Sequence, residues 1–378
     1  MRHNWEYKRL KEVCDKGSSN LQQNKLVGLD GDYPVFGASG YVQNISSYHQ
    51  AKPYIGIVKD GSGVGRVNVY PAKSSLLGTM QYLLPKEGFE IGYIAYCLKN
   101  LKLAKFVTGA AIPHIYFRDY GECPIPIPPK NIQQKIVSEL DKISEVLEKK
   151  KLQLKELDNL AQAIFYEMFG DPVENNKGWS TKALGELSEK IANGYNAKLE
   201  EDTYKKEGVM YFRCQNVWRN RFDYSDLVYI DEVTNRKMKS SSLKRNDLLI
   251  TKIGRINTEN SSLGRVSLYE GEDDKANLSG NLCFVRLKKN INCKFVLYIL
   301  ISNQFRDYIR RTTVGGIDKR ALSVKQISTF PIIQPPIEEQ EKYALRVKDI
   351  EHQKNLINQS MKEAQTLFDS RMDYWFNE

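Results

Sequence analysis

The stretch IPPKNIQQKI, residues 127–136, recurs as QPPIEEQEKY, residues 334–343. The two proline pairs and the glutamines that follow them are offset by 207 residues (335 − 128), and Phe169 falls on Phe376 at the same offset. A long internal repeat determines the architecture, because each copy folds into the same kind of unit. The chain is therefore expected to contain one structural plan twice.

The beginnings of the two copies also match, but at a shorter offset. With an offset of 174 residues (179 − 5), Trp5 recurs as Trp179, Lys8 as Lys182, and Leu10 as Leu184. The second globular part is thus longer by 33 residues (207 − 174). Two similar scaffolds with different insertions suit a linear target of two dissimilar parts better than one small molecule.

Each proline pair precedes a Lys-, Glu- and Leu-rich segment that predicts one long helix of about 40 residues, roughly 60 Å. The apolar residues follow a heptad, which favours a supercoiled pair of helices. In the first helix they are Ile136, Ile143, Leu157 and Ile164, with Leu140, Leu147, Leu154, Ala161 and Met168, interrupted by Lys150. In the second they are Tyr343, Ile350, Ile357 and Ala364, with Val347, Met361, Phe368 and Trp375, interrupted by Lys354 and Arg371.

Because a globular domain lies between the two helices, antiparallel pairing of one helix with the other is the simplest way to cover both apolar stripes. The alternative is two independent helices, each docked on its own domain. The expected fold class is α/β: two mixed α/β domains separated by two long antiparallel coiled-coil helices, with a pseudo-two-fold internal repeat. The boundaries are a first domain at 1–128, a helix at 129–170, a second domain at 171–335 and a helix at 336–378.

The globular segments alternate strand and helix signals. In the first domain we expect strands at Tyr54–Val58, Val64–Tyr70 and Met80–Leu84 and a helix at Glu90–Lys105. In the second we expect strands at Val209–Arg213, Asp247–Lys252, Leu263–Tyr269 and Asn281–Leu287 and a helix at Lys294–Arg311.

Composition favours a polyanionic partner. The 378 residues carry a net charge of +10, with a pI near 9.0, and basic proteins gain affinity for nucleic acid through released counterions. The six cysteines and four histidines show no metal-ligand spacing, which predicts reduced thiols and no metal site. Neither an export signal nor a membrane span is apparent, so we expect a cytoplasmic protein.

A search for catalytic motifs finds no convincing site. Gly61–Gly65 resembles a phosphate loop but lacks the closing Lys-Ser/Thr and precedes a strand, so a tight turn that leads into Arg66 is the better interpretation. The proline pairs lack the Asn/Asp-Pro-Pro-aromatic pattern of DNA amino-methyltransferases. Glu148-Lys149-Lys150 lies within the heptad helix, without an acidic partner on a strand. We therefore expect a protein that is not an enzyme.

Basic and amide side chains outside the helices gather in loops, where Arg can bind guanine, Asn and Gln can bind adenine, and Lys and Ser can bind phosphate. The small residues of Gly109–His114 and Gly315–Arg320 allow close approach to a ligand. The alternative for these two loops is a plain helix stop and turn, and the alternative for Arg213–Arg219 is a strand end with a solvated polar rim. The candidates are Lys59, Ser62, Arg66, His114 and Arg118 in the first domain, and Arg213, Gln215, Asn216, Arg219, Arg221, Lys252, Arg255, Lys319 and Arg320 in the second.

The order of these motifs resembles the specificity subunit of type I restriction–modification systems over nearly the whole chain. The motifs are Trp5-x-x-Lys8-x-Leu10, Tyr33–Gly40, Gly61–Val67, Pro128-Pro129-x-x-x-Gln133-Gln134, and the second series through Pro335-Pro336-x-x-x-Gln340. The resemblance implies a noncatalytic subunit with two target-recognition domains, each reading half of a bipartite DNA sequence.

The same resemblance implies partners. Two modification subunits would use S-adenosylmethionine to methylate adenine N6, and restriction subunits would use ATP with Mg²⁺, while this chain would bind no cofactor. The surfaces beside the line of contact between the two helices, around Phe165 and Phe368, would contact the modification subunits. Two alternatives remain: a coiled-coil scaffold that binds proteins, or a DNA methyltransferase or nuclease whose active site goes unrecognised.

Overall fold

The computed structural model describes residues 5–61, 63–109, 113–195, 199, 203–255, 258, 261–313, 315–316 and 318–377. The chain divides into two compact units. Unit 1 comprises Met1–Leu152 with Ile357–Glu378, and unit 2 comprises Gln153–Leu356. Each long helix therefore begins in one unit and ends in the other.

Unit 1 contains two small sheets and a two-stranded ribbon. In chain order its elements are β1 Glu6–Arg9, α1 Leu10–Val13, β2 Cys14–Ser18, β3 Tyr33–Gly37, β4 Gly40–Ile45, β5 Tyr54–Val58, β6 Val67–Tyr70, β7 Ser75–Leu76, β8 Met80–Pro85, α2 Ile91–Asn100, α3 Phe117–Tyr120 and β9 Pro124–Ile127, followed by the first long helix, α4 Lys130–Phe169. One sheet has the order β2-β8-β5-β6, the other β4-β3-β7, and β1 pairs with β9.

Unit 2 repeats this arrangement with added strands. Its elements are β10 Thr181–Ala183, β11 Ser188–Asn193, β12 Val209–Phe212, β13 Val217–Trp218, β14 Arg221–Phe222, β15 Val228–Ile230, α5 Glu232–Lys237, β16 Leu248–Thr251, β17 Ile253–Arg255, β18 Val266–Leu268, β19 Ala276–Leu278, β20 Leu282–Leu287, α6 Cys293–Ile301, α7 Asn303–Thr312, β21 Lys319–Ala321, α8 Val324–Ser328 and β22 Pro331–Ile333, followed by the second long helix, α9 Ile337–Phe376.

The sheets of the two units correspond strand by strand. The four-stranded sheet β11-β20-β16-β18 matches β2-β8-β5-β6, and β15-β12-β19 matches β4-β3-β7. In both three-stranded sheets the central strand pairs antiparallel with one neighbour and parallel with the other. The ribbon β10-β22 matches β1-β9. The internal repeat predicted from the proline pairs is confirmed, and the extra hairpin β13-β14 belongs to the longer second copy.

The predicted helix Lys294–Arg311 is wrong in one respect, because two helices are present. Ser302 has an extended backbone (φ −60°, ψ 153°) and caps α7. Its hydroxyl accepts a hydrogen bond from the amide of Phe305 at 3.1 Å. A serine at an N-cap position satisfies a free amide of the following helix, so the chain turns between α6 and α7 instead of continuing as one helix.

The repeated glutamine explains how both long helices begin. The Gln133 side chain donates to the carbonyl of Pro128 at 2.9 Å, and Gln340 donates to Pro335 at 2.9 Å. Both glutamines are nearly inaccessible, at 2% and 6% exposure. Each proline pair starts a helix where a missing N–H costs nothing, and the glutamine then closes the turn back on it.

In unit 1 the beginning of α4 packs against the end of α9. Ile136 and Leu140 belong to the same core as Met372 and Trp375. Arg371, which interrupts the predicted heptad, forms an ion pair with Glu139 of α4. The Trp375 indole also donates to Glu139, at 3.2 Å.

In unit 2 the end of α4 packs against the beginning of α9. Ala161 and Phe169 share a core with Val347, and the Tyr343 hydroxyl donates to the carbonyl of Ala161 at 3.1 Å. Lys354, the other interruption of the second heptad, pairs with Asp158. The start of each helix thus contacts the end of the other, so the two helices pair antiparallel as predicted and the alternative of independently docked helices is wrong.

Candidate nucleic-acid interface

The first basic cluster lies on two loops of unit 1. The loop between β5 and β6 carries Lys59 and Arg66, and the segment before α3 carries His114, with Arg118 at the start of α3; we call these four residues the basic loop of unit 1. The amide of Ile115 donates to the carbonyl of Lys59 at 3.1 Å, which joins the two segments. A further predicted member, Ser62, lies outside the described residues.

Side chains in this cluster stabilise one another. The His114 imidazole contacts the Asp60 carboxylate, and the Arg118 guanidinium lies 4.6 Å from the centre of the Tyr116 ring. Arg66 and Arg118 are exposed. The arrangement therefore presents two guanidinium groups to solvent from a loop pair fixed by backbone hydrogen bonds.

Unit 2 contains the same loop connection. The amide of Leu322 donates to the carbonyl of Lys252 at 2.7 Å, as Ile115 does to Lys59. Within the second unit, β17 and β21 place Arg255 directly opposite Lys319. Lys252, Arg255 and Lys319 form the basic loop of unit 2.

Two of these cations have side-chain partners. The Arg255 guanidinium lies 3.2 Å from the Asp318 carboxylate, and the Lys252 amine donates to the Asn193 side chain at 2.6 Å. Arg255 and Lys319 are exposed, and Lys252 is half-buried. The second unit therefore also presents a cationic edge at the corresponding place in the repeat.

The glycine turn before Arg66 has a counterpart that sequence reasoning missed. Val58 donates to the carbonyl of Arg66 at 3.0 Å, and Thr251 donates to the carbonyl of Arg265 at 3.0 Å. Gly65 and Gly264 precede these arginines, with φ of 87° and 68°. The signal was present as Val-Gly-Arg-Val at 64–67 and Leu-Gly-Arg-Val at 263–266.

Arg265 differs from Arg66 in its surroundings, because it is 7% exposed. Its guanidinium lies 3.8 Å from the centre of the Trp218 ring, and its Nε donates to the carbonyl of Ser261 at 3.0 Å. Arg221 lies 4.9 Å from the same indole. Trp218 therefore makes cation–π contacts with two guanidinium groups, one from Arg221 of the same hairpin and one from Arg265, which joins the hairpin to the segment before β18.

Arg219, in the turn of that hairpin, lies among further arginines. Burial, followed by the positive charges of Arg306 and Arg310, lowers the pKa of Arg219 to about 10. The guanidinium remains protonated at neutral pH, so an anion bound beside it would be favoured. Arg306 and Arg310 are located on α7, and the sequence interpretation did not select either.

The densest predicted stretch, Arg213–Arg219, is organised by an acidic residue that was not predicted. The Asp226 carboxylate accepts from the side chains of Gln215 at 3.0 Å and Asn216 at 2.8 Å. Arg213 lies 3.4 Å from the same carboxylate. Gln215 remains exposed, whereas Asn216 is fully buried and stabilises the turn, so its amide cannot reach a base in this conformation.

Three other residues, which were predicted to bind DNA or a partner subunit, make contacts within the fold. Arg320 donates to the carbonyls of Arg310 and Thr313, both at 2.8 Å, and so caps the end of α7. Phe165 is 4% exposed and packs on Phe295 at 5.7 Å, so most of its ring belongs to the core of unit 2. Phe368 is half-buried and lies 6.2 Å from the Tyr96 ring.

Each unit also has a cavity beside its basic loop. In unit 1 a cavity of about 760 Å³ is lined by residues 19–24, 37–42 and 77–79. In unit 2 a cavity of about 500 Å³ is lined by Arg255, Arg265 and Lys319, together with Thr258, Ser261, Ser262 and Asn281. The amide-rich run 20–24 in the first cavity was missed because it precedes the strands on which the sequence interpretation concentrated.

Two searches over the described residues were negative. In that part of the chain, no group of His, Cys, Asp and Glu side chains has the arrangement of a metal site. No helix there combines the length and apolar character that a membrane span requires.

Comparison with known families assigns the chain to a class. The family described as the type I restriction modification DNA specificity domain matches residues 2–156 and again residues 176–365. The chain belongs to this family, whose members recognise DNA sequence and do not themselves catalyse modification or cleavage. The two matched ranges correspond to the two copies of the repeat.

Similar proteins are specificity subunits as well. The putative type I restriction enzyme MjaX specificity subunit of Methanocaldococcus jannaschii is 25% identical over 185 residues, which covers 49% of this chain and 42% of that protein. That match spans less than half of the relative's length. The MjaVIII specificity subunit of the same organism is 22% identical over 330 residues, covering 82% of this chain and 74% of the relative.

A solved structure shows the same fold. The S subunit of a type I restriction-modification system from M. genitalium superimposes with a TM-score of 0.59 at 16% identity, over 99% of this chain and 96% of that one. The likeness covers both units and both long helices.

Proposed function

We propose that this chain reads a bipartite target in double-stranded DNA, with each unit contacting one half-site. The observation that carries this proposal is the repeated basic loop. Lys59 and Lys252 occupy the same place in two copies of one fold. The carbonyl of each accepts a hydrogen bond from a later segment, which follows α2 in unit 1 and α7 in unit 2. Cations repeated at matching positions suit the one feature that every DNA half-site shares, which is its phosphate backbone.

The side chains around this shared feature differ between the units, which supports two dissimilar half-sites. Base recognition requires side chains matched to particular base edges, whereas phosphate contacts carry no sequence information. The basic loop of unit 1 carries His114 beside Asp60, and the basic loop of unit 2 carries Arg255 beside Asp318. In the part of the chain that the structure describes, the extra hairpin with Arg219 and Arg221 occurs in the second, longer copy and not in the first.

We also propose that the chain itself binds no cofactor and works within a larger complex. Two modification subunits would use S-adenosylmethionine to methylate adenine N6, and restriction subunits would use ATP with Mg²⁺. The names of the relatives, which are specificity subunits of type I restriction enzymes, support this assignment. Exposed leucines on the long helices are better candidates for these contacts than the buried Phe165: Leu152, Leu345, Leu356 and Leu367.

The test uses the full chain purified together with its modification subunit, and compares Lys59→Gln and Lys252→Gln with the unaltered complex. Each substitution removes one cation, so affinity should fall by a similar factor for all duplexes. The slope of log K against log salt concentration should decrease by about 0.9 for each lost phosphate contact. Lys289→Gln, at an exposed turn after β20, is the matched control and should leave the slope unchanged.

Two results would refute the proposal. A complex that binds all duplexes equally, with no preferred sequence, would show that the chain is not a specificity determinant. Salt slopes that are the same in the lysine variants and in the Lys289→Gln control would show that the repeated loops do not face the DNA. Failure of the complex to bind DNA at all would favour the helical scaffold.

A further inference from the structure

The cavity of unit 1 is built from three segments that meet near the basic loop. It is formed by the segment after β2, the hairpin between β3 and β4, and the turn before β8. The Gly78 amide donates to the carbonyl of Leu21 at 2.8 Å, and Leu26 is 2% exposed. The segment from Leu21 to Leu26 is thus anchored by one backbone hydrogen bond and by the buried Leu26 side chain. Its polar side chains can therefore face the cavity.

Four of the five residues from 20 to 24 carry amide side chains. Asn20, Gln22, Gln23 and Asn24 are all exposed and line the cavity. None of the four side chains forms a hydrogen bond with any other residue that the structure describes. Gln43 provides the contrast, since its amide donates to the carbonyls of Leu26 at 2.7 Å and Leu29 at 2.9 Å. Gln43 stabilises the fold, whereas the four cavity amides retain their donors and acceptors for a ligand.

The cavity directly adjoins the basic loop of unit 1. Thr79 lines the cavity, and its carbonyl accepts from the amides of Lys59 at 3.1 Å and Asp60 at 3.2 Å. A duplex whose phosphates contact Lys59 and Arg66 would therefore bring neighbouring bases close to the amides. Tyr41, which also lines the cavity and is 62% exposed, adds an aromatic surface.

The cavity of unit 2 has a different chemistry. Among the residues that the structure describes, those lining this cavity include Arg255, Arg265 and Lys319, together with Asn281. Arg265 lies on Trp218 and is nearly buried. Arg255 is exposed and pairs with Asp318 through Nε, so its two terminal nitrogens are the ones that can donate to a base. Among the described lining residues, the cavity of unit 1 thus offers four amide side chains, and the cavity of unit 2 offers an exposed guanidinium.

From this contrast, and resting on the proposed function, we propose that the first half-site contains an adenine read by the amide cavity of unit 1. The second half-site contains a guanine read by Arg255. An amide can accept from adenine N6 while donating to adenine N7, and no other base offers that pair of groups in the major groove. A guanidinium can donate to guanine O6 and N7 together.

The experiment is a binding-site selection with the full chain in complex with its modification subunit. The probe is a library of DNA duplexes with two randomised blocks separated by spacers of several lengths. Asn20, Gln22, Gln23 and Asn24 are each changed to alanine in turn, and Arg255→Ala is examined separately. Asn68→Ala is the matched control, because Asn68 is an exposed amide on β6 outside the cavity.

At least one cavity variant should reduce the preference for an adenine at one position of one block by about five- to 150-fold. Arg255→Ala should reduce the preference for a guanine in the other block by a similar factor. At the responsive amide position, Gln→Glu or Asn→Asp should shift the preference from adenine toward cytosine, because a carboxylate accepts from cytosine N4. Asn68→Ala should leave both blocks unchanged.

The outcomes separate this inference from the proposed function. If the unaltered complex selects no sequence in either block, the proposed function fails. If it selects a two-block site but all four cavity variants keep their base preference, or the preference lost is not for adenine, only the inference is overturned. The inference would also be overturned if an amide variant and Arg255→Ala both changed the base preference in the same DNA block, since the two cavities belong to different units.

Discussion

Replacing Arg265 by lysine tests whether the hairpin β13-β14 is held in place by a stacked guanidinium. Arg265 and Arg66 follow matching glycines in the two copies of the repeat. Arg66 is exposed, however, whereas Arg265 is 7% exposed and lies 3.8 Å from the centre of the Trp218 ring. The same substitution at the two positions should therefore have different consequences.

The expected loss of stability follows from the contacts of Arg265. Lysine keeps the charge but loses the planar group that stacks on the indole and the Nε–H that donates to the Ser261 carbonyl at 3.0 Å. A hydrogen bond from a charged donor contributes about 1.5–3 kcal/mol, and a desolvated cation–π contact about 2 kcal/mol. Allowing for one bond that the ammonium regains, Arg265→Lys should destabilise unit 2 by about 2–3 kcal/mol, whereas Arg66→Lys should stay within about 0.5 kcal/mol.

Urea unfolding of the two variants, followed by hydrogen exchange of peptides from residues 217–222, would measure this difference. The Arg265→Lys variant should show faster exchange in the hairpin and weaker selection at the second half-site only. The Arg66→Lys variant should change DNA affinity without changing exchange. Equal stability of the two variants, or unchanged exchange in the hairpin of Arg265→Lys, would refute the positioning role.

The remaining predictions concern the helices. Removing one heptad from each long helix shortens it by about 10 Å, so selected DNA spacers should shorten by about three base pairs; an unchanged spacer in a binding-site selection would reject this. Phe169→Ala should destabilise unit 2 by about 3–5 kcal/mol, because Phe169 is fully buried and packs on Phe295 at 4.9 Å. Phe376, its counterpart at the end of α9, is only partly buried, so Phe376→Ala should destabilise unit 1 by less. Hydrogen exchange in peptides of each unit measures the two losses of stability, and equal losses would contradict this prediction.

Repetition made the architecture predictable from the sequence. The proline pairs and glutamines located the starts of both long helices, because each glutamine closes its turn on the preceding proline carbonyl. The heptad predicted that the two helices pair. Lys354 and Arg371, which interrupt the apolar pattern, form ion pairs with the other helix. Such pairs depend on residues about 200 positions away in the chain, which local periodicity does not reveal.

The candidate interface was only partly predictable. Residue chemistry correctly placed Lys59 on a loop, since charged side chains rarely occupy strands buried on both faces. The predicted strands Val64–Tyr70 and Asp247–Lys252 wrongly included Arg66 and Lys252, and Arg255 ends strand β17. It did not reveal which polar groups would be used internally, such as Asn216 on Asp226 or Arg320 at the end of α7. Those roles arise where the chain folds back on itself, whereas the glycine-arginine repeat at Arg265 was visible and was overlooked.

Mapping N6-methyladenine across the genome of a host that expresses this chain with its modification subunit tests the central claim most directly. The account predicts one bipartite motif, in which two dissimilar blocks are separated by a nonspecific spacer of constant length. A single uninterrupted motif, or two blocks methylated independently at varying separations, would contradict the assignment of one half-site to each unit.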